Sequence, residues 1–273
     1  MNNKFKTREM DISLIKWKIK QNLRKLLIPN KTKVFFIHIP KSGGTSIDKA
    51  IAKHYRHSYS RIEDSPSHQT AKMLYGIDIE KGESSRLLQL REQLVIYEMF
   101  KEIQYISGHV SYNTQTWEKF HQQYVYITCL RHPVKRYISN YFYNAFKESD
   151  HFKIKEDLPT FLTTPRGQEG GFEYIRYFGG ISDRVDYDYT TSAAIKRAKD
   201  NLDKLAIIGF LENLEDFSLK FRHYTGTKLK ISHRRKNPVS NPDIDRETMK
   251  KINKICAPDL ELFEYAKKKF GRC

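Results

Sequence analysis

Cysteine is scarce in this chain: three in 273 residues, Cys129, Cys256 and Cys273. None forms a Cys-x-x-Cys pair and none has a histidine at zinc-site spacing, so neither a disulfide framework nor a structural metal is expected. An odd, sparse set of thiols fits a reducing compartment, and Cys129, inside an apolar run, belongs in a core. Long hydrophobic runs are missing as well. No stretch nears the roughly 20 apolar residues that cross a bilayer, and the N-terminus has no signal-peptide core. Cytoplasmic residence is the resulting expectation. Acidic side chains are outnumbered, 32 against 49 Lys plus Arg, for a net charge of +17. That surplus favours acidic partners (nucleotides, nucleic acid, anionic lipid or acidic polysaccharide) without choosing among them. No repeat, long linker or nucleic-acid-binding motif is present. With aromatics at 13%, the chain is a folded protein and not a basic tail.

Residues 1–30 read as a basic N-terminal segment and 31–273 as a single α/β domain. Within residues 11–27, Ile12, Ile15, Ile19, Leu23 and Leu26 recur at helical spacing among lysines and arginines. Two readings stay open there: a helix packed on the domain, or a basic amphipathic helix in peripheral contact with the inner face of a membrane. Strands are expected over residues 34–39, 105–107, 124–130 and 205–210, and helices over about 45–55, 84–100, 133–145, 168–178, 192–202 and 212–221. Residues 56–70 read as a polar loop. Leu87, Leu90, Leu94 and Tyr97 are expected to share the buried face of their helix. C-terminal helices broken at Ala257-Pro258 follow. Apolar strands alternating with helices imply a mostly parallel central sheet flanked by helices.

The chemistry concentrates in two stretches. KVFFIHIPKSGGTSID, residues 33–48, has the grammar of a buried strand, a glycine turn and a helix start. Such a junction gathers unpaired N–H groups at the positive end of a helix dipole, which suits an anion. Lys41, Ser42, Gly43, Gly44, Thr45 and Ser46 are the candidate cradle. This is not the standard nucleotide P-loop, whose lysine follows its last glycine; here Lys41 precedes Gly43 and Gly44. In CLRHPVKRYISNYF, residues 129–142, Arg131 ends a strand and Ser139 lies in the second turn of the next helix. A guanidinium fork and a hydroxyl suit a second, monoester-like phosphate.

Together these stretches resemble the sulfotransferases that use 3′-phosphoadenosine 5′-phosphosulfate (PAPS), from about Lys33 to the C-terminus. The resemblance implies a P-loop-NTPase-like sulfotransferase fold. It implies that residues 42–46 cradle the 5′-phosphosulfate and that Arg131 and Ser139 hold the 3′-phosphate. SGHVSY, residues 107–112, is similar to the segment that carries the catalytic base in glycosaminoglycan uronyl 2-O-sulfotransferases. His109 thereby becomes the candidate general base, and Lys41 the group that stabilises the leaving phosphate. Gly43-Gly44 is closer to other carbohydrate sulfotransferase branches. The implied reaction is in-line transfer to a hydroxyl of a carbohydrate acceptor, acidic in character, without a metal. Two readings stay open for Arg234 and Arg235, in a late basic loop that either closes over the nucleotide or is simply solvated, and for His38, which either faces the acceptor or is a satisfied structural histidine. Two competing readings are a phosphoryl-transfer enzyme on the same superfold and a basic protein that binds nucleic acid or an anionic surface.

Overall fold

Apolar runs without alternation become strands buried on both faces. The computed structural model describes residues 31–77, 84–150, 152–180, 187–232 and 243–271; the 11–27 helix and the 233–236 loop expected from the sequence lie outside these. Among the described residues, five strands form one parallel sheet in the order β2-β3-β1-β4-β5. They are β1 (Lys33–Ile37), β2 (Tyr59–Ile62), β3 (Tyr105–Gly108), β4 (Tyr124–Leu130) and β5 (Ile207–Phe210). Phe35 and Ile37 of β1 enter a core with Ile106, Tyr126 and Leu130, whereas Val34 and Phe36 face a second core with Ile127 and Cys129. The side-chain period of two therefore feeds two cores from one run.

The second core is closed by α1 (Gly44–Ala52), through Ile47 and Ile51, and by α10 (Leu214–Thr225), through Phe217 and Phe221. The larger core takes α3 (Ser84–Phe100), α8 (Glu173–Phe178), α9 (Ser192–Leu202) and α12 (Ala257–Phe270). Between these elements run α2 (Asp64–Tyr75), α4 (Thr114–Phe120), α5 (Pro133–Phe146), α6 (Leu158–Phe161), α7 (Pro165–Glu169) and α11 (Arg246–Ile255). Pro133 opens α5, where its missing N–H costs nothing. Val134, Tyr137, Ile138, Tyr141 and Phe142 then pack with Phe161, Leu162 and Ile252 in a third cluster.

Three expectations need correction. Residues 56–70 are not a loop: β2 forms the sheet edge against β3, and α2 follows directly. Only Ile62 of β2 is fully buried, and α2 buries only Ser67 and Ala71, so neither carries an apolar period. On α3, Leu94 and Tyr97 face solvent, and the buried stripe runs Leu87, Leu88, Arg91, Glu92, Val95 and Met99. Two charged residues in the middle of that stripe hide its helical spacing. Finally, β5 starts at Ile207 instead of residue 205, because Leu205 closes the turn after α9 with its N–H on the Leu202 carbonyl.

A buried arginine ties the C-terminal half together. Arg136 of α5 is 1% exposed, donates to the Gly170 carbonyl, and lies 5.7 Å from the Tyr174 ring centroid. Burial opposes its charge, but the nearby Glu173, Tyr174 and Asp259 prevail and hold its pKa above the ordinary arginine range. Asp259 in turn accepts the backbone N–H groups of Tyr174 and Ile175. Arg136→Met should lower stability by about 3–5 kcal/mol in urea unfolding, because two carboxylates lose a buried counter-charge.

Candidate active site

Strands β1 and β3 finish level, and β4 runs two residues further. The His38 N–H donates to the Gly108 carbonyl at 3.0 Å, and Thr128 Oγ1 donates to the Ile37 carbonyl at 2.9 Å. The residues just past β1, β3 and β4 therefore gather at the carboxyl edge of the sheet, beside the central strand where the strand order reverses, the place where open α/β sheets form a ligand crevice. They supply His38 and Lys41, His109, and Arg131.

The first loop is a left-handed turn into a helix. Lys41 has φ 66° and Gly43 φ 77°, and α1 starts at Gly44 with no side-chain cap. The Ser46 N–H donates back to the Gly43 carbonyl at 3.2 Å, the N–H groups of Gly44 and Thr45 have no acceptor within the helix, and the helix dipole adds partial positive charge there. Each glycine meets a close neighbour. A Cβ on Gly43 would come within 2.4 Å of Leu211 Cδ1, and one on Gly44 within 1.9 Å of the His38 ring. Ser42 is buried, its Oγ 3.4 Å from the Tyr174 hydroxyl, whereas Thr45 and Ser46 are half-buried at the helix start.

Two histidines sit beside this turn. Their ring centroids are 4.4 Å apart, and the His38 ring also stacks on Phe36. His109 Nδ1 is 2.6 Å from the His38 carbonyl. A carbonyl only accepts, so Nδ1 carries the proton and Nε2 keeps a lone pair. Burial holds His109 below the ordinary histidine pKa. Arg91 and Arg61 push the same way, and Asp64 and the His38 carbonyl pull against them. Burial, then His109 and Arg61, push His38 further down, and its buried Nδ1 has no hydrogen-bond partner. Both rings are neutral near pH 7. Arg91 fixes the backbone: it donates to the His109 carbonyl at 3.2 Å, to Ser67 Oγ at 2.9 Å, and to Asp64.

Arg131 and the turn are joined through Tyr174. The Tyr174 hydroxyl accepts from the Arg131 N–H at 2.9 Å and donates to the Arg131 carbonyl at 2.5 Å. The half-buried Arg131 side chain donates to the Lys41 carbonyl at 3.2 Å. Burial lowers the Arg131 pKa, so the surroundings leave its charge incompletely compensated. Ser139 is buried in the second turn of α5, one turn before Tyr143, whose ring lies 3.8 Å from Lys41 Nζ. Lys41, Arg131, His38 and His109 are thus brought to one edge of the sheet, with Ser139 on the helix beside them. Arg234 and Arg235 lie outside the described residues.

Tyr174 and Arg91 have no sequence signal. Tyr174 reads as one more apolar position in a helix, and Arg91 as a solvated charge. Among the described residues, no cluster of three or more His, Cys, Asp or Glu is arranged to hold a metal, and no helix is long and apolar enough to cross a membrane. The contact between Gly44 and His38 is testable. Gly44→Ala should cost about 1–3 kcal/mol in urea unfolding, and the penalty should disappear in a His38→Ala background, where the space is free.

No curated protein matches the chain. The family model described as "Sulfotransferase family" matches residues 24–266, which takes in every element above except the last residues of α12. That match covers most of the chain, and the chain belongs to the sulfotransferase family.

Proposed function

We propose that this sulfotransferase moves the sulfuryl group of PAPS to a hydroxyl of an acidic carbohydrate acceptor in the cytoplasm, with His109 as general base. The observation that carries the reading is the exposure pattern of residues 107–112. Ser107, Gly108, Val110, Ser111 and Tyr112 are buried and His109 alone is half-buried, so the segment presents one group to the crevice. That group is a neutral imidazole with Nδ1 tied to a carbonyl. The likeness of this segment to uronyl 2-O-sulfotransferases favours an acceptor that contains uronic acid.

The donor set suits an anionic nucleotide. An uncapped helix start, an ammonium at Lys41 and an under-compensated guanidinium at Arg131 stand on one edge. PAPS, when bound, supplies the activated sulfuryl group and a phosphate leaving group. Lys41 and the start of α1 would neutralise charge where it grows, an electrostatic effect strongest in a site that excludes water. Arg131, with Ser139 on the adjoining helix, would hold the 3′-phosphate. His109 Nε2 would accept the hydroxyl proton while the carbonyl of His38 stabilises the imidazolium that forms at Nδ1. With lysine, arginine and the helix dipole supplying positive charge, the step needs no metal.

Transfer of labelled sulfate from PAPS to a panel of desulfated polysaccharides and glycolipids tests the proposal; no transfer to any acceptor, combined with no binding of 3′,5′-ADP, would sink it. His109→Ala should lower kcat by about 10²–10⁴ and leave 3′,5′-ADP affinity nearly unchanged in calorimetry. Lys41→Ala should lower kcat by about 10²–10³. Because the base acts only when unprotonated, kcat/KM should rise with pH through an apparent pKa below the ordinary 6.5 and then level off. An inflection above 6.5 would argue for another base.

A further inference from the structure

Lys41 stands in the left-handed region at φ 66°, a conformation that glycine adopts freely and a side-chain-bearing residue adopts only at a cost. Two glycines follow within three residues, so the turn alone does not explain a lysine here. The side chain is what the position keeps. Its ammonium lies 3.8 Å from the centroid of the Tyr143 ring, and its carbonyl accepts from Arg131. Both holds come from the β4–α5 unit, Arg131 at its junction and Tyr143 one turn past Ser139. Lys147 reaches the same ring at 5.9 Å. Burial and then Arg166 push the Lys147 pKa down to about 8, while Asp64 pulls it up. Tyr143 is 44% exposed, so core packing does not account for its ring.

We infer that Tyr143 is a positioning residue for Lys41: its ring face docks the ammonium on α5, while Arg131 grips the backbone of the same residue. Lysine carries a large share of rotamer entropy, and a docked ammonium has given up most of it before any ligand arrives. The pairing is electrostatic attraction between a cation and the negative ring face, so a phenylalanine serves where an aliphatic residue does not. The part Lys41 plays in turnover rests on the sulfotransferase mechanism proposed above; the docking itself does not.

The test is limited acetylation of the full chain with acetic anhydride, read at Lys41 by mass spectrometry. A ring that stabilises the protonated, docked amine slows its acylation. Tyr143→Leu and Tyr143→Ser should speed Lys41 labelling about two- to tenfold, and Tyr143→Phe should label at the wild-type rate. Thermal unfolding of each variant confirms that it is folded, and two ring-less chains guard against one failing to fold. Labelling that stays at the wild-type rate in the folded ring-less chains overturns the inference, as does a phenylalanine variant that labels as fast as they do. In sulfuryl transfer, Tyr143→Leu should lower kcat more than it weakens 3′,5′-ADP binding. Absence of transfer in the wild-type chain counts against the proposed function and leaves the labelling result to decide the docking.

Discussion

The bond between His109 Nδ1 and the His38 carbonyl joins the two halves of the candidate site. His38 belongs to the segment that turns into the start of α1, and His109 directly follows the neighbouring strand. The carbonyl fixes the tautomer of one ring, and the ring of His38 fills the space left by the missing side chain of Gly44. A single residue thereby spaces the helix start from the imidazole. Level strand ends make this possible. A slip of one residue between β1 and β3 would turn the His109 side chain to the opposite face of the sheet.

Around that contact the charges are arranged to be almost, but not fully, balanced. Arg91 is matched by Asp64, Arg176 by Glu169 and Glu173, and Lys220 by Asp216. These pairs hold the walls. At the crevice the balance shifts: burial depresses the pKa of Arg131 and Lys147, so both are cations in surroundings that would be eased by a negative ligand. The net charge of the whole chain says only that acidic partners are favoured. The uneven pairing leaves positive charge under-compensated at this edge of the sheet.

Much of the fold was legible in the sequence because its central strands are buried on both faces and so read as unbroken apolar runs. Residues 124–130 became β4 with the same limits, and the helix expected over 133–145 runs from Pro133 to Phe146. The edge escaped notice for a physical reason: β2 is held largely by polar contacts. Tyr59 and Tyr105 donate to Asp48, and Arg61 lies 3.6 Å from the same carboxylate, none of which leaves a hydrophobic period. In the site, the residues that touch the crevice sit in recognisable motifs. Tyr174 and Arg91, which hold those motifs in place, do not, because their partners are backbone groups and side chains tens of residues away.

The central place of β1 also bears on how the chain reaches this state. Among the described residues it is the earliest strand, yet its partners come late: the contact from Ile37 to Thr128 spans 91 residues and that from His38 to His109 spans 71. On the ribosome, VFFIHI must wait unpaired while both neighbours are synthesised, exposing an apolar, β-prone run during translation. Long-range parallel pairing is slow to form and vulnerable to association in that interval. The segment that organises the finished enzyme is thus also the one most in need of protection during its birth. Lys31 and Lys33 on one side and Lys41 on the other place positive charge at both ends of that run, the kind of flanking residue that discourages sticking.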